Sequence, residues 1–249
     1  MKHALITGAG SGIGAAIATT LAQNGYRLSL LGRRLDALEH VAENLPGAHW
    51  TGSCDVTDQA AVEQSVAAAT DAGGSISVLI NCAGAAPTAA FQKTDFALWQ
   101  QTLDINLNGV YHCTQAVLPN MIATGNGRII NIASTAAQKG YAYVSAYCAA
   151  KHAVLGLTRA LALELATKGI TVNAVCPGYT DTDIIRNAVK NIADKTGRSE
   201  ADALNHFTQV NPQGRLVSPE EVAAAVQWLA SEGAASVNGQ AIGINGGEI

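Results

Sequence analysis

The chain has 249 residues, of which 48% are hydrophobic and 14% are charged, and its formal net charge at pH 7 is −4. An average protein has about 25% charged residues, so we expect this chain to bury much of its surface. The sequence has no basic run, no apolar stretch of transmembrane length and no signal-peptide pattern at its start, which together predict a cytoplasmic protein without a nucleic-acid or membrane partner.

Short apolar runs alternate with helical patterns in the first part of the chain. The runs predict strands over residues 2–6, 27–31, 48–54 and 76–80. Helical periods follow the first three runs: one ends near Asn24, one covers 35–45, and one runs from a cap at Thr57 or Asp58 to Asp71.

The second part continues this alternation with longer helices. We predict helices over 96–122 and 145–168, and a shorter one that begins at the Ser218 cap and ends near residue 231. Strands are predicted over 128–133, 170–175 and 239–244. The polar, irregular segment 179–214, in which we expect helical turns, is long for a loop in a compact domain, so we interpret it as a substrate lid.

The strand runs are continuously apolar, as expected when helices cover both faces of a parallel sheet. The element order therefore predicts an α/β fold: one domain over residues 1–249, with a Rossmann-type doubly wound parallel sheet of about seven strands. The five cysteines are odd in number and no two have metal-ligand spacing, so we expect reduced thiols and no metal site.

A glycine-rich turn separates the first predicted strand from the first helix. Its residues are Gly8, Ser11, Gly12, Ile13 and Gly14. Glycines at this place let the backbone approach a pyrophosphate, and the helix N-terminus attracts its charge. We therefore predict that these residues bind a dinucleotide cofactor, although a purely structural turn would have the same composition.

The second predicted strand ends at Arg33 and Arg34, where NAD-binding proteins carry an acidic residue for the ribose hydroxyl. Guanidinium groups bind phosphate in a bidentate way, so the pair favours NADP(H) with its 2′-phosphate. NAD(H) remains the alternative if the two arginines are only solvated.

Ser134, Tyr147 and Lys151 form a candidate catalytic group just after the strand 128–133. The spacing of four residues puts Tyr147 and Lys151 on one face of a helix. A nearby cation lowers the pKa of a phenol from its ordinary value of about 10, so Tyr147 could exchange a proton at an alcohol carbon while Ser134 holds the oxygen. An exposed Tyr–Lys pair without function is the alternative.

Together these residues resemble the short-chain dehydrogenase/reductase family in its classical subgroup, over nearly the whole chain. The resemblance implies that Tyr147 is the general acid/base, that Ser134 polarises the substrate oxygen, and that Lys151 lowers the tyrosine pKa and holds the nicotinamide ribose. It also implies that Asn106, within the long helix, positions a water for proton relay. A homotetramer is implied as well, with the two long helices forming one interface and the C-terminal segment another.

The resemblance extends to further cofactor contacts. Asp55 and Val56 should lie along the adenine, and the turn from Asn81 through Ala83 to Gly84 along the adenosine ribose. Pro177, Gly178, Thr180 and Thr182 should bracket the nicotinamide. The chain departs from the family at Cys82, where a second Asn is common, but backbone contacts are expected at that turn.

The predicted substrate pocket is lined by residues 85–91, 135–144 and the lid 179–214. Its aromatic side chains are Tyr141, Tyr143, Tyr179, Phe91 and Phe207. Little fixed charge accompanies them, which favours an apolar or aromatic carbonyl substrate. The segments 132–140 and 169–178 are similar to ketoreductases of aromatic polyketide synthesis and to 3-oxoacyl thioester reductases.

The predicted function is an NAD(P)(H)-dependent interconversion of a secondary alcohol and a ketone, with a 3-oxoacyl thioester or a cyclic ketone among the candidate substrates. An NAD+-linked dehydrogenase of hydroxyacyl or cyclic alcohols is the first alternative. The second alternative is a cofactor-binding sensor or scaffold on the same fold, which has no chemical need for the Ser, Tyr and Lys set.

Overall fold

Seven parallel strands form a single sheet in the order β3-β2-β1-β4-β5-β6-β7 in this computed structural model, which describes residues 2–249. The strands are β1 His3–Thr7, β2 Arg27–Gly32, β3 Trp50–Ser53, β4 Val78–Asn81, β5 Gly127–Ile132, β6 Ile170–Pro177 and β7 Ala241–Ile244. The order reverses direction between β1 and β4, which is the switch point where ligands bind in such sheets. The predicted α/β fold class is confirmed.

The helices are α1 Gly12–Gln23, α2 Leu35–Glu43, α3 Gln59–Gly73, α4 Phe96–Leu103, α5 Gly109–Thr124, α6 Ser145–Leu165, α7 Asp183–Thr196, α8 Glu200–Thr208 and α9 Pro219–Ala230. They cover both faces of the sheet, and the core is divided accordingly. In β1, Ala4 and Ile6 pack on the side of α1 and α9, whereas Leu5 packs on the side of α3 and α5. This two-sided burial explains why the strand runs are apolar throughout.

One predicted segment differs from the structure, and another is more regular than expected. The single long helix predicted over 96–122 is interrupted by a π-helical turn, Asp104–Asn108, between α4 and α5. The helical turns expected in the segment 179–214 are the regular helices α7 and α8. Each of them buries an apolar pair with a spacing of four residues, namely Ile185 with Val189 and Ala203 with Phe207, in a small core of the segment's own.

The start of α9 is built as the sequence predicts. Ser218 accepts a hydrogen bond from the Glu221 N–H at 3.2 Å, and the Glu221 carboxylate accepts one from the Ser218 N–H at 2.8 Å. This reciprocal pair is a capping box with Pro219 at the first helical position. No helix within residues 2–249 is both long and apolar enough to span a membrane.

Candidate active site

The predicted catalytic side chains come together at the carboxyl edge of the sheet. Ser134 directly follows β5, and the first two turns of α6 carry Tyr147 and Lys151. The Lys151 Nζ donates a 2.8 Å hydrogen bond to the carbonyl of Ile132, the last residue of β5, and lies 5.6 Å from the centroid of the Tyr147 ring. The Lys151 ammonium therefore ties α6 to the strand that presents Ser134.

Ser134 is positioned by its own backbone turn. Its Oγ accepts a 3.1 Å hydrogen bond from the Ala136 N–H and so caps the short 3-10 turn Thr135–Ala137. A hydroxyl has one proton to donate in addition to its acceptor sites. The Ser134 hydroxyl thus acts as an acceptor within this turn, and its proton remains available for a substrate oxygen bound beside Tyr147.

Burial shifts the pKa values of the Tyr–Lys pair away from their ordinary values. Burial raises the pKa of Tyr147 to about 12, and the Ser134 hydroxyl acts in the opposite direction. Burial also lowers the pKa of Lys151 to about 8. The pKa of Tyr147 therefore lies above its ordinary value in this structure, because the phenol loses water on burial, and the lowering of this pKa by Lys151 stays a prediction.

Asn106 lies in the π-turn rather than in regular helix. Its buried amide donates to the carbonyls of Thr102 at 2.9 Å and Ala85 at 2.8 Å, and its Oδ1 accepts from the Ala85 N–H at 3.3 Å. A Cβ at Gly84 would lie 2.9 Å from Asn106 Oδ1 and 3.7 Å from Lys151 Nζ. The π-turn thus brings Asn106, the Gly84 turn and Lys151 into one cluster, as such turns often do at functional sites.

The glycine turn after β1 has the shape that a pyrophosphate requires. Gly8 and Gly12 have φ angles of +68° and +52°, and a Cβ at Gly14 would overlap the Gly8 carbonyl and lie 3.0 Å from the Cα of Ala9. Within the described residues, the Ser11 side chain makes no capping hydrogen bond to α1. The N–H groups at the start of α1 are therefore available for an anion, so these residues fit a dinucleotide phosphate.

The turn after β4 packs directly against the glycine turn. Thr7 Oγ1 accepts hydrogen bonds from the N–H groups of Cys82 at 3.0 Å and Ala83 at 3.1 Å. A Cβ at Gly8 would approach the Ala83 Cα to 2.9 Å. The backbone N–H of Cys82 makes this contact, so the replacement of the usual Asn leaves the contact between the two turns in place.

Asn81 faces away from this turn. The residue is 3% exposed, and its side-chain amide donates to Asn131 Oδ1 at 2.9 Å and to Thr114 Oγ1 at 3.3 Å, which joins β4 to β5 and α5. The NH2 group of Asn81 is therefore used within the core. The contact of this turn with the ribose, which is expected to be made largely by the backbone, stays a prediction.

The end of β6 completes the edge beside the glycine turn. β6 ends at Pro177, and the buried Thr180 hydroxyl donates to the Gly178 carbonyl at 3.0 Å. A Cβ at Gly12 would lie 3.1 Å from the Thr182 methyl group. Thr182, at the start of α7, therefore lies over the glycine turn, and the two predicted parts of the cofactor site meet.

The model of the short chain dehydrogenase family matches residues 2–193 of this chain. The chain belongs to this family. A protein assigned as a ketoacyl reductase of the granaticin polyketide synthase from Streptomyces violaceoruber is 41% identical, with 98% of this chain and 92% of that protein covered. The D-threitol dehydrogenase of Mycolicibacterium smegmatis is 38% identical, with 99% and 92% covered.

A solved structure of a short-chain dehydrogenase with the same fold is that of a variant of actinorhodin polyketide ketoreductase with NADPH. It superposes with a TM-score of 0.95 at 38% sequence identity, and the match covers 99% of this chain and 97% of that chain. The predicted membership of the short-chain dehydrogenase/reductase family and the likeness to polyketide ketoreductases are therefore confirmed.

The residues predicted to bind the adenosine end of the cofactor include two exposed arginines. Arg33 and Arg34 are exposed after β2, and neither forms an ion pair with a carboxylate of residues 2–249. The exposed Asp55 is held by the Thr57 N–H and hydroxyl at 3.0 and 2.8 Å. Val56 is buried, and a Cβ at Gly109 would approach its Cγ2 to 2.6 Å.

Glu248 is a residue near the pocket that the sequence did not point to. Its side chain is 2% exposed, and it forms a 2.9 Å ion pair with Lys139 and a short hydrogen bond with the Tyr141 hydroxyl. Glu248 thus adds a buried carboxylate, paired with Lys139, beside the segment 135–144, and the expectation of a pocket with little fixed charge stays a prediction. A penultimate residue after two glycines belongs to no motif, so no sequence signal could have identified it.

Proposed function

We propose that this chain reduces a ketone to a secondary alcohol, and catalyses the reverse reaction, with Tyr147 as the acid/base. The observation that carries the proposal is the meeting of Tyr147, Ser134 and Lys151 at the same sheet edge as a glycine turn shaped for a pyrophosphate. A bound nicotinamide dinucleotide supplies or accepts the hydride at the carbonyl carbon.

The side chains act on the carbonyl oxygen. The Ser134 hydroxyl donates a hydrogen bond to this oxygen and so polarises the carbonyl group. Since burial raises the pKa of Tyr147 to about 12, its phenol is protonated at neutral pH and can give its proton to the same oxygen. The Lys151 ammonium, held by the Ile132 carbonyl, stabilises the phenolate that remains.

Asn106 acts indirectly in this proposal. Its side chain fixes the Ala85 backbone and the Gly84 turn next to Lys151. This arrangement supports a water-mediated route by which Lys151 exchanges protons with solvent after each turnover.

We propose NADP(H) as the preferred cofactor. The free guanidinium groups of Arg33 and Arg34 stand at the end of β2, where a 2′-phosphate would be bound. The structural relative with NADPH agrees with this preference, and NAD(H) remains the alternative cofactor.

We propose an apolar or aromatic ketone as the substrate class. A 3-oxoacyl group bound to a carrier as a thioester is one candidate within this class. Support comes from the aromatic side chains of the pocket region, since Tyr179 packs edge-on against Tyr141 and Phe207 at centroid distances of 6.0 and 5.0 Å. The D-threitol dehydrogenase relative favours a second candidate, the oxidation of an acyclic alcohol.

A panel of ketones and alcohols assayed with NADPH, NADH and their oxidised forms tests the function. We expect ketone reduction to be fastest with NADPH, and Tyr147→Phe to lower kcat by a factor of about 10²–10⁴, the usual contribution of a general acid. Tyr26→Phe is the matched control and should retain full activity, because Tyr26 precedes β2 at the opposite edge of the sheet and its hydroxyl donates to the Ala230 carbonyl at 3.0 Å. Equal turnover in Tyr147→Phe and wild type would favour the sensor or scaffold alternative.

We also propose a cytoplasmic homotetramer. Exposed apolar side chains on the two long helices support an interface, namely Tyr111 and Ile122 on α5 and Leu163, which is 84% exposed, on α6. Light scattering should give a tetramer mass for wild type and a smaller species for Leu163→Glu. A monomeric wild-type protein would contradict the assembly.

A further inference from the structure

The segment 245–249 lies against the predicted substrate pocket, with Asn245 buried and the side chain of Glu248 2% exposed. Gly246 and Gly247 have φ angles of +65° and +91°, which only glycine adopts without strain, and they turn the chain back on itself. A Cβ at Gly246 would lie 2.7 Å from the Asn211 Cγ, just after helix α8 of the lid. The segment 245–249 therefore packs against the residues of the lid that follow α8.

This turn directs Glu248 inward. Its Oε2 lies 3.1 Å from the position of a Gly178 Cβ, at the end of β6. Its Oε1 accepts from Lys139 Nζ at 2.9 Å and from the Tyr141 hydroxyl. The Tyr141 oxygen also lies 2.6 Å from Thr135 Oγ1, and since a phenol has one proton, Thr135 is the donor there.

The burial of the Glu248 carboxylate has a cost in free energy. Removing a carboxylate from water is costly unless it is paired and hydrogen-bonded, and the side chain of Glu248 is only 2% exposed. The segment adds no residue to the hydrophobic core clusters of residues 2–249. Its burial therefore points to a role at the adjacent pocket.

The partners of Glu248 all belong to the loop between Ser134 and Tyr147. Lys139 also lies over the Tyr141 ring, with its Nζ 5.1 Å from the centroid, and Tyr141 packs against Tyr179 at the start of the lid segment. One carboxylate thus connects the loop 135–144 with the end of β6 and, through Tyr141, with the lid.

We propose that Glu248 is a positioning residue for the substrate pocket. Its carboxylate holds loop 135–144 against the end of β6 and so fixes the wall on which the carbonyl substrate is bound. The inference rests on the proposed function, since this pocket is the one in which Ser134 and Tyr147 act. Glu248 meets the predicted cofactor site at Gly178, whereas its hydrogen-bonded side-chain partners among residues 2–249 lie in loop 135–144, so the larger effect should fall on substrate binding and not on cofactor binding.

Hydrogen–deuterium exchange tests the positioning without any need for turnover. In Glu248→Ala, the amides of 135–144 should exchange about tenfold or more faster than in wild type, while those of 8–14 should be unchanged. Glu232→Gln is the matched control, because Glu232 is an exposed carboxylate paired with Lys2 at 3.4 Å. Unchanged exchange in 135–144 would overturn the proposal.

Kinetics then test the consequence for the substrate. With the best ketone of the panel, Glu248→Ala should raise KM about ten- to a hundredfold, the range for loss of a hydrogen bond to a charged group, and leave the Kd of NADPH within twofold. Glu248→Gln keeps an acceptor for Tyr141 and should show a smaller rise. Tyr141→Phe should add little further effect in the Glu248→Ala background, because both changes break the same contact.

Three results distinguish the possible failures. A KM within twofold of wild type, or an equal weakening of NADPH binding, would contradict a role in positioning the pocket. If Glu248→Ala does not fold, the KM for the ketone and the Kd of NADPH are compared with wild type in Glu248→Gln and Tyr141→Phe instead. A wild-type protein that turns over no ketone or alcohol would overturn the proposed function, whereas the exchange experiment would still decide the positioning.

Discussion

Replacement of Gly14 by alanine gives a sharp test of the glycine turn, because two effects of opposite sign compete. Gly14 lies in the first turn of α1, and an alanine inside a helix is favoured over glycine by about 1 kcal/mol. However, the new Cβ would overlap the Gly8 carbonyl oxygen and lie 2.8 Å from the Gly8 carbonyl carbon. Ordinary carbon–carbon contacts are about 3.5–4.0 Å, so the turn must move by about 0.7 Å or more.

The clash involves two backbone segments, which cannot rotate away as a side chain could. Overpacking of this kind costs about 1–3 kcal/mol, so the gain in helix propensity should be cancelled or exceeded. We expect Gly14→Ala to lower the urea-denaturation midpoint. We also expect it to weaken NADPH binding about tenfold or more, because the N–H groups that would meet the phosphate are displaced.

The control for this experiment lies in the same helix. Thr19 is exposed, and its hydroxyl donates back to the Ala15 carbonyl at 3.1 Å, so Thr19→Ala should raise the midpoint slightly and leave NADPH affinity unchanged. The midpoints come from circular dichroism and the affinities from the fluorescence of bound NADPH. A Gly14→Ala protein as stable as wild type, with NADPH affinity within twofold, would refute the close-packing argument.

Three further predictions concern the cofactor, the pH profile and a helix cap. Arg33→Ala should raise the KM for NADPH about tenfold and leave the KM for NADH unchanged, whereas the control Arg27→Ala, at the other end of β2, should alter neither KM. An equal rise of both KM values in Arg33→Ala would count against a 2′-phosphate contact. Burial lowers the pKa of Lys151 to about 8, so the charge of Lys151 is lost as the pH rises through this value. We therefore expect kcat/KM for NADPH to fall above about pH 8, and a profile that is flat to about pH 9.5 would contradict this expectation. Ser218→Ala removes the α9 cap and should destabilise the protein by about 1 kcal/mol in urea denaturation, and an unchanged midpoint would show that the cap is dispensable.

Features that depend on neighbouring residues could be predicted from the sequence. The apolar runs predicted all seven strands to within two residues at each end, and the glycine-rich turn and the Ser218 cap follow local backbone chemistry. The spacing of four residues between Tyr147 and Lys151 fixes their shared helix face in the same way. Local propensity and periodicity act over a few residues, so they are visible in the order of the amino acids.

Features that depend on distant parts of the chain could not be predicted. The Asn81 side chain faces inward because Asn131, 50 residues away, accepts its hydrogen bond. The π-turn at Asn106 is not visible in a helical pattern that continues on both sides of it. Burial around Tyr147 and Lys151 depends on how several elements pack, so the direction of each pKa shift emerged only from the fold.

The sequence by itself determined the parallel α/β sheet, the family, and the identity of the residues Ser134, Tyr147 and Lys151. The tertiary structure alone decided which groups surround them, above all the contact between Tyr141 and Glu248 across 107 residues of chain. The physical reason is that a sequence pattern specifies what each segment can form, whereas burial and long-range hydrogen bonds exist only after the segments have packed.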